Sequence, residues 1–357
     1  MKNIAKSSVR ALLIAGILAG TAVAVYAQRS TIGDGLRDVR YLHWGWVAAV
    51  SLTEILSMLA MALLYRTLLR ASSVRLTVTW ILTSSYIANG ISISVPVIGA
   101  GMAGRLAYRR FREAGADAAA ASLALTLAGI VSTVTLVPIV VAAALLSGNP
   151  AASVSGLLAA VALVTGAAVV MVELRSERGR ERLLRLIALS LRCTQRIIRR
   201  PKGQPDVLAL AVLASIQRIR LGKSVLTQAL LWGLVNWWAD VACLAFALRA
   251  AGITTLSIGK ILLVWTAATG ASSLSPTPAG IGAVEVAMAA ALTAAGVKGS
   301  HAITAILVYR VTTFKGLGTL GSVLYHRINH RRRRIPEGSG SAPDSEIAAR
   351  DDLRGAG

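Results

Sequence analysis

Apolar residues run in long blocks along this chain, and lysine and arginine collect in the gaps between them. The blocks are 11–27, 42–64, 76–104, 118–147, 152–172, 225–250, 257–297 and 301–326. Several reach the ~20 residues that a helix needs to cross the hydrocarbon of a bilayer. The pattern predicts an all-α, polytopic membrane bundle with about six full crossings and two broken or re-entrant hairpins.

The hairpins come from charge placement. Lys2, Lys6 and Arg10 put the N-terminus on the cytoplasmic side, and Arg66, Arg70 and Arg75 put the end of 42–64 there too. Arg29, Arg37 and Arg40 in the intervening loop argue weakly against this. Block 76–104 begins after Arg75 and ends before Arg105, Arg109, Arg110 and Arg112, so both its ends belong inside. A simple crossing cannot satisfy both. A hairpin can, and Gly90, Pro96, Gly99, Gly101 and Gly104 supply the break, because proline removes an amide donor and clashes with the preceding turn. Block 257–297 carries a second break in the run Ser275, Pro276, Thr277, Pro278, Ala279, Gly280, Ile281, Gly282. Irregular backbone at membrane depth is tolerated only when buried in protein or lining a watery cavity.

Composition narrows the class. The 357 residues would fill two soluble domains, but 55% are hydrophobic, only 15% are charged, and the mean hydropathy is +0.64. A soluble domain has about 25% charged residues. The net charge of +22 lies between apolar blocks and at the ends, as for loops facing anionic lipid, which argues against nucleic acid. The stretch 173–224 repeats arginine at helical spacing (Arg175, Arg178, Arg182, Arg185) beside Leu183, Leu184, Leu186 and Ile187. It reads as an amphipathic helix on the cytoplasmic leaflet or as a solvated connection. After residue 327 the chain is basic, then rich in Pro, Gly, Ser and acid, and is expected to be a disordered cytoplasmic tail over 328–357. Block 11–27 is either a retained first helix or a cleaved signal peptide; its length and the Gly16–Gly20 spacing favour retention.

The two breaks align when the chain is shifted by about 180 residues. Ala88 meets Ala268, Gly90 meets Gly270, Ser92 meets Ser272, Pro96 meets Pro276, and Arg105 falls opposite Glu285. With flanking crossings of opposite sense, this is the pattern of transporters built from inverted repeats, whose sites lie where broken helices meet. Chance likeness between two Gly/Ala/Ser-rich helices is the competing explanation.

Ionisable residues inside spans are costly and usually functional. Glu54, Asp240, Glu285, Arg310 and Lys315 all fall within spans. Glu285 follows the second break, where a half-helix starting near Ala279 would direct its amides at a phosphate. Arg310 and Lys315 are candidate phosphate contacts or partners for the acids. Glu285, Glu54 and Asp240 are candidates for proton coupling, and a structural ion pair is the alternative. Trp237 and Trp238 read as interfacial anchors. Cys193 and Cys243 are far apart and read as inert thiols, and the four histidines form no metal-binding or hydrolytic motif. No metal or cofactor is expected, and no phosphate-cradling loop for ATP is present.

The run from Ser275 to Glu285 resembles the PTPGGxGxxE signature of the transmembrane region of lysylphosphatidylglycerol synthases, the flippase-like family, with Ala279 in place of the first glycine of the pair. Val95, Pro96 and Val97 through Gly104, followed by Arg109 and Arg110, resemble the family's earlier proline-glycine segment. Arg310 followed by Gly316 and Gly318 is similar to its last helix. The likeness spans most of residues 10–327.

The resemblance implies a flippase-like domain over 1–327 in a bacterial, actinobacterial-type plasma membrane, with both termini cytoplasmic, moving a phospholipid or polyprenyl-linked lipid between leaflets. Its substrate path would involve Pro96, Gly99, Gly101, Gly104, Pro276, Pro278, Gly280, Gly282, Glu285, Arg310 and Lys315. The family's aminoacyl-transferase domain has no counterpart in the tail, so a transporter is expected rather than an aminoacylating enzyme. Two other readings stand: an intramembrane lipid-modifying enzyme, for which Glu285 with Asp240 is the only acid/base candidate, and a non-transporting partner of a glycosyltransferase or synthase.

Overall fold

The computed structural model describes residues 41–175, 179, 182 and 222–316, apart from 73, 95–98, 149, 276, 278, 279 and 298. All regular elements among the described residues are helical, as the apolar blocks require. They are α1 (Trp44–Arg70), α2 (Val78–Ser94), α3 (Gly99–Glu113), α4 (Ala118–Leu146), α5 (Pro150–Arg175), α6 (Lys223–Ala250), α7 (Ile258–Leu274), α8 (Ala283–Ala294) and α9 (Gly299–Arg310). The last continues directly into a π-helical stretch, Val311–Gly316. Block 11–27, most of 173–224, the end of 301–326 and the tail 328–357 lie outside the described residues.

The protein is a multi-pass helical membrane bundle. Three helical stretches among the described residues have the length and composition to cross a bilayer: Trp44–Ala71, Ala120–Leu146 and Lys223–Ala250. At about 1.5 Å per residue each is roughly 40 Å long, enough for a ~30 Å hydrocarbon core. Asp117 fixes the start of α4, its Oδ1 accepting from the Ala120 amide at 2.5 Å.

Both predicted breaks separate pairs of helices. α2 and α3 pack along each other, as do α7 and α8. In the second pair, Lys260 Nζ near the start of α7 donates to the Ala295 carbonyl just past α8 at 3.3 Å, so the two helices are antiparallel. The first pair is also antiparallel: Arg110, late in α3, donates from Nε to Ser84 Oγ in α2 at 2.8 Å and lies 5.0 Å from the Trp80 ring centroid. Here the structure extends the sequence reading. Block 76–104 ends at Gly104, but α3 runs on to Glu113 and carries Arg105, Arg109, Arg110 and Arg112 inside it. Arginine is a good helix former, and Phe111 buries itself against Tyr65 and Trp80, which holds the basic helix to the bundle.

α1 and α6 form the spine, packed along their length. Asn236 Nδ2 on α6 donates to both the carbonyl (3.0 Å) and Oγ (2.8 Å) of Ser57 on α1. One apolar core lies beneath α6–α9, around Leu244, Leu248, Trp265, Met288 and Leu292. A second joins α1, α3 and α4 through Leu64, Leu68, Phe111 and Ala121. The helices starting at 44, 78, 99 and 118 are followed, 179 to 184 residues later, by helices starting at 223, 258, 283 and 299.

At one helix contact a side chain has no room. A Cβ on Gly259, in the first turn of α7, would sit 1.7 Å from the Leu146 carbonyl oxygen at the end of α4. That neighbour is backbone and cannot swing away. Gly259→Ala is therefore expected to destabilise the bundle by about 1–3 kcal/mol. Gly129→Ala, with nothing within 4 Å of the added atom, should leave stability unchanged or slightly raised. Thermal unfolding of the purified variants in detergent checks both; equal melting temperatures for the two would contradict the close approach.

Candidate functional site

The second break is built by small polar side chains and two glycines. α7 stops at Leu274, and Ser275 Oγ accepts from the Thr277 amide at 3.2 Å, replacing a helical bond. Thr277 Oγ1 donates to the Ile281 carbonyl at 2.8 Å. Gly280 and Gly282 hold φ of +69° and +87°, a region that side chains other than glycine rarely adopt. A Cβ on Gly280 would also meet Val284 at 2.7 Å and the Ser272 backbone at 3.0 Å, so the loop is pressed against α7.

α8 then starts at Ala283, four residues later than the start near Ala279 expected from the sequence. The positive φ of Gly282 delays it. Glu285, in the first turn, closes the helix end: its Oε2 accepts from the Gly282 amide at 2.7 Å. Its other oxygen, Oε1, accepts from Arg310 Nε on α9, also at 2.7 Å. The helix end is thus not an open row of amides. One carboxylate already answers it and is held by one guanidinium. The pair is not sealed off: the Glu285 side chain is 35% exposed and that of Arg310 15%. An anion with charged oxygens is an acceptor of the same kind as Glu285 and competes with it for the two donors, Arg310 and the Gly282 amide.

A second polar cluster sits in the core between α1, α6, α7 and α9. Asp240 Oδ1 accepts from Tyr309 OH at 2.9 Å, and Oδ2 from Trp265 Nε1 at 3.1 Å. Glu54 on α1 faces the same place, and its carboxylate, one from Asp240 and the Cys243 thiol lie within 4.8 Å of one another. Beside Glu54 on α1, Ser51 and Thr53 bond back to carbonyls of their own helix, and Ser57 accepts from Asn236 on α6.

The predicted residues thus fall into two groups. Glu285 and Arg310 meet, together with Gly280 and Gly282; Glu54 and Asp240 meet elsewhere. The enzyme reading needed Glu285 with Asp240, but each takes different partners. Gly99, Gly101 and Gly104 lie in the first turns of α3, which packs on α2 and α4, whereas α8 packs on α7 and α9. Among the described residues α3 and α8 share no extensive contact. Lys315 lies in the π-helical stretch, its side chain outside the described residues, as are Pro96, Pro276 and Pro278.

Trp237 departs from the anchor expectation. Trp237 Nε1 donates to the Ser132 carbonyl on α4 at 2.8 Å, and its ring packs edge-on against fully buried Trp265. Trp232 is packed against the second core. Trp238 stays exposed, as an anchor would. Sequence reading missed Tyr309 and Trp265 as partners of Asp240. Their signal was a mid-span acid in need of donors, which two aromatics with polar tips supply.

The described residues thus define a multi-pass helical membrane protein with two interrupted helix pairs. Residues 11–321 match the family described as the lysylphosphatidylglycerol synthase TM region, and the chain belongs to that family. Membership ties it to membrane lipids and to their modification or flipping. No curated protein matches the chain.

Tyr309→Phe removes a hydrogen bond to a charged acceptor and is expected to cost about 1.5–3 kcal/mol. On an Asp240→Ala background the same change should cost about 0–0.5 kcal/mol, because the partner is already gone. A double-mutant cycle by thermal unfolding in detergent measures this; additive effects would mean that the contact contributes nothing.

Proposed function

We propose that this protein is a lipid translocase that moves a phospholipid or polyprenyl-linked lipid between leaflets through a polar groove lined by its two broken helices. The Glu285–Arg310 pair at the second break carries the reading. It places a guanidinium, the side chain best matched to phosphate, beside a helix start whose own carboxylate can be displaced. The acyl chains stay in lipid while the headgroup exchanges places with Glu285. Family membership supports a lipid as cargo.

The repeated helix starts support an inverted repeat, in which α1–α4 correspond to α6–α9 and the two hairpins enter the membrane from opposite faces. The lysine and arginine pattern supports cytoplasmic termini, and family membership supports a bacterial plasma membrane location. In this reading Gly99, Gly101 and Gly104 at the first break are the counterpart of Gly280 and Gly282 at the second.

Lipid scrambling in liposomes tests this, with fluorescent anionic phospholipid and polyprenyl phosphate as separate cargoes. Glu285→Gln and Arg310→Ala are each expected to slow translocation at least about tenfold, a barrier change of about 1.4 kcal/mol. Arg310→Lys should recover only part of the rate, because lysine offers a point charge in place of a planar fork. Wild-type rates from both Glu285→Gln and Arg310→Ala, in protein that melts at the wild-type temperature, would remove the pair from the mechanism.

A further inference from the structure

Glu54 is 7% exposed, and among the described residues no donor forms a hydrogen bond with its carboxylate. Its neighbour Asp240 is in the opposite condition. Both Asp240 oxygens already accept a hydrogen bond, from Tyr309 and Trp265. Neither acid forms an ion pair with a described lysine, arginine or histidine. Two carboxylates this close in a low-dielectric interior repel strongly, and a bare one is expensive to bury. One proton held between them removes both penalties.

We propose that Glu54 and Asp240 form a proton-binding site, linked through α9 to the Glu285–Arg310 pair. In the loaded state Glu54 carries the proton and its O–H turns to an Asp240 oxygen. Asp240 keeps the single negative charge, shared with the Tyr309 and Trp265 donors. On release the proton leaves Glu54 and both acids are charged. The other ionisable groups facing the pair are Tyr86 from α2, Cys243 from α6 and Tyr309 from α9. α4, also against α1, carries no ionisable side chain over Ala118–Leu146.

The link is covalent and short. Tyr309 holds Asp240, and the next residue, Arg310, holds Glu285. Adjacent residues point about 100° apart on a helix, so one turn of α9 reaches both clusters. The helix changes to π-helical geometry at the following residue, Val311. Such irregular turns often mark functional positions. Adding a second negative charge at Glu54–Asp240 alters the pull on Tyr309, and a rotation of α9 there shifts Arg310.

A metal ion is the rival occupant, since Cys243 Sγ completes a three-ligand set. The thiol donates to the Val50 carbonyl, 3.7 Å away, whereas a metal would need the thiolate, which favours the proton.

The linkage to transport rests on the translocase reading, but the site itself does not. Infrared spectra of the purified full chain in ester-free detergent at neutral pH are expected to contain a protonated-carboxyl carbonyl band that shifts in heavy water. Glu54→Gln, close in shape to the protonated acid, should abolish the band, while Glu285→Gln should keep it. Absence of the band from wild type, or its survival in Glu54→Gln, would overturn the proposal. So would zinc bound at one ion per chain and lost in Cys243→Ser. In liposomes, the pH dependence of lipid movement should vanish in Glu54→Gln and persist in Cys243→Ser; equal pH profiles in wild type and Glu54→Gln would overturn the linkage. A chain that keeps the infrared band but moves no lipid would retain the proton site and lose the translocase.

Discussion

A helix that begins inside a membrane presents amides with no water to meet them, and the arrangement of this protein's second half follows from how Glu285 answers that need. Its carboxylate divides its two oxygens, one to the Gly282 amide and one to Arg310. The first bond lets α8 start; the second fixes α9 beside it. An uncompensated carboxylate at this depth would cost several kcal/mol, so neither oxygen is idle. Glycine at 280 and 282 is part of the same solution, because only a positive φ brings the chain round closely enough for Glu285 to reach back to its own helix start. The serine and threonine at 275 and 277 satisfy what remains of the loop.

That economy of polar groups explains what was legible in the sequence. Helix limits were readable wherever apolar blocks met charge or a capping residue: α4 and α6 start and end within two residues of their predicted blocks. Both breaks were readable because proline and glycine act through the backbone and need no partner to be known. The Glu285–Arg310 contact was legible only as one of several pairings, since charges on different helices carry no register. The extension of α3 through four arginines was not legible. Nothing in a run of basic residues separates a cytoplasmic loop from a helix held down by Phe111 and by Arg110 over Trp80. The same limit hid Trp237, whose ring reads as an interfacial belt until Ser132 on another helix is seen to accept its N–H.

The spine gives the two halves of the chain a common reference. Ser57 and Asn236 are 179 residues apart and hydrogen-bonded, the same interval that separates the starts of α1 and α6. Two corresponding positions in contact are what a two-fold relation between repeats would place near its axis. The two halves differ in chemistry, however. The first hairpin uses Arg110 for packing within itself, whereas the second sets Glu285 in an ion pair with Arg310 of α9.

α9 is where these features converge. It runs for twelve residues before the helix turns π-helical, and it is held at that point by two acids on different helices. Asp240 takes Tyr309 and Glu285 takes Arg310, so consecutive residues tie the core of the spine to the start of α8. An ordinary α-helix continuing past Arg310 would keep its 3.6-residue register and fix the following side chains rigidly to those two contacts. The wider π-helical turn at Val311–Gly316 releases that register directly after the double anchor. Thr312 and Thr313 donate back to the Val308 and Tyr309 carbonyls at 3.0 and 2.9 Å, which gives the carbonyls there a partner while the helix changes pitch. The double anchor thus sits where the helix changes pitch, and in the proposed linkage a change in charge at either acid is passed along α9 to the other.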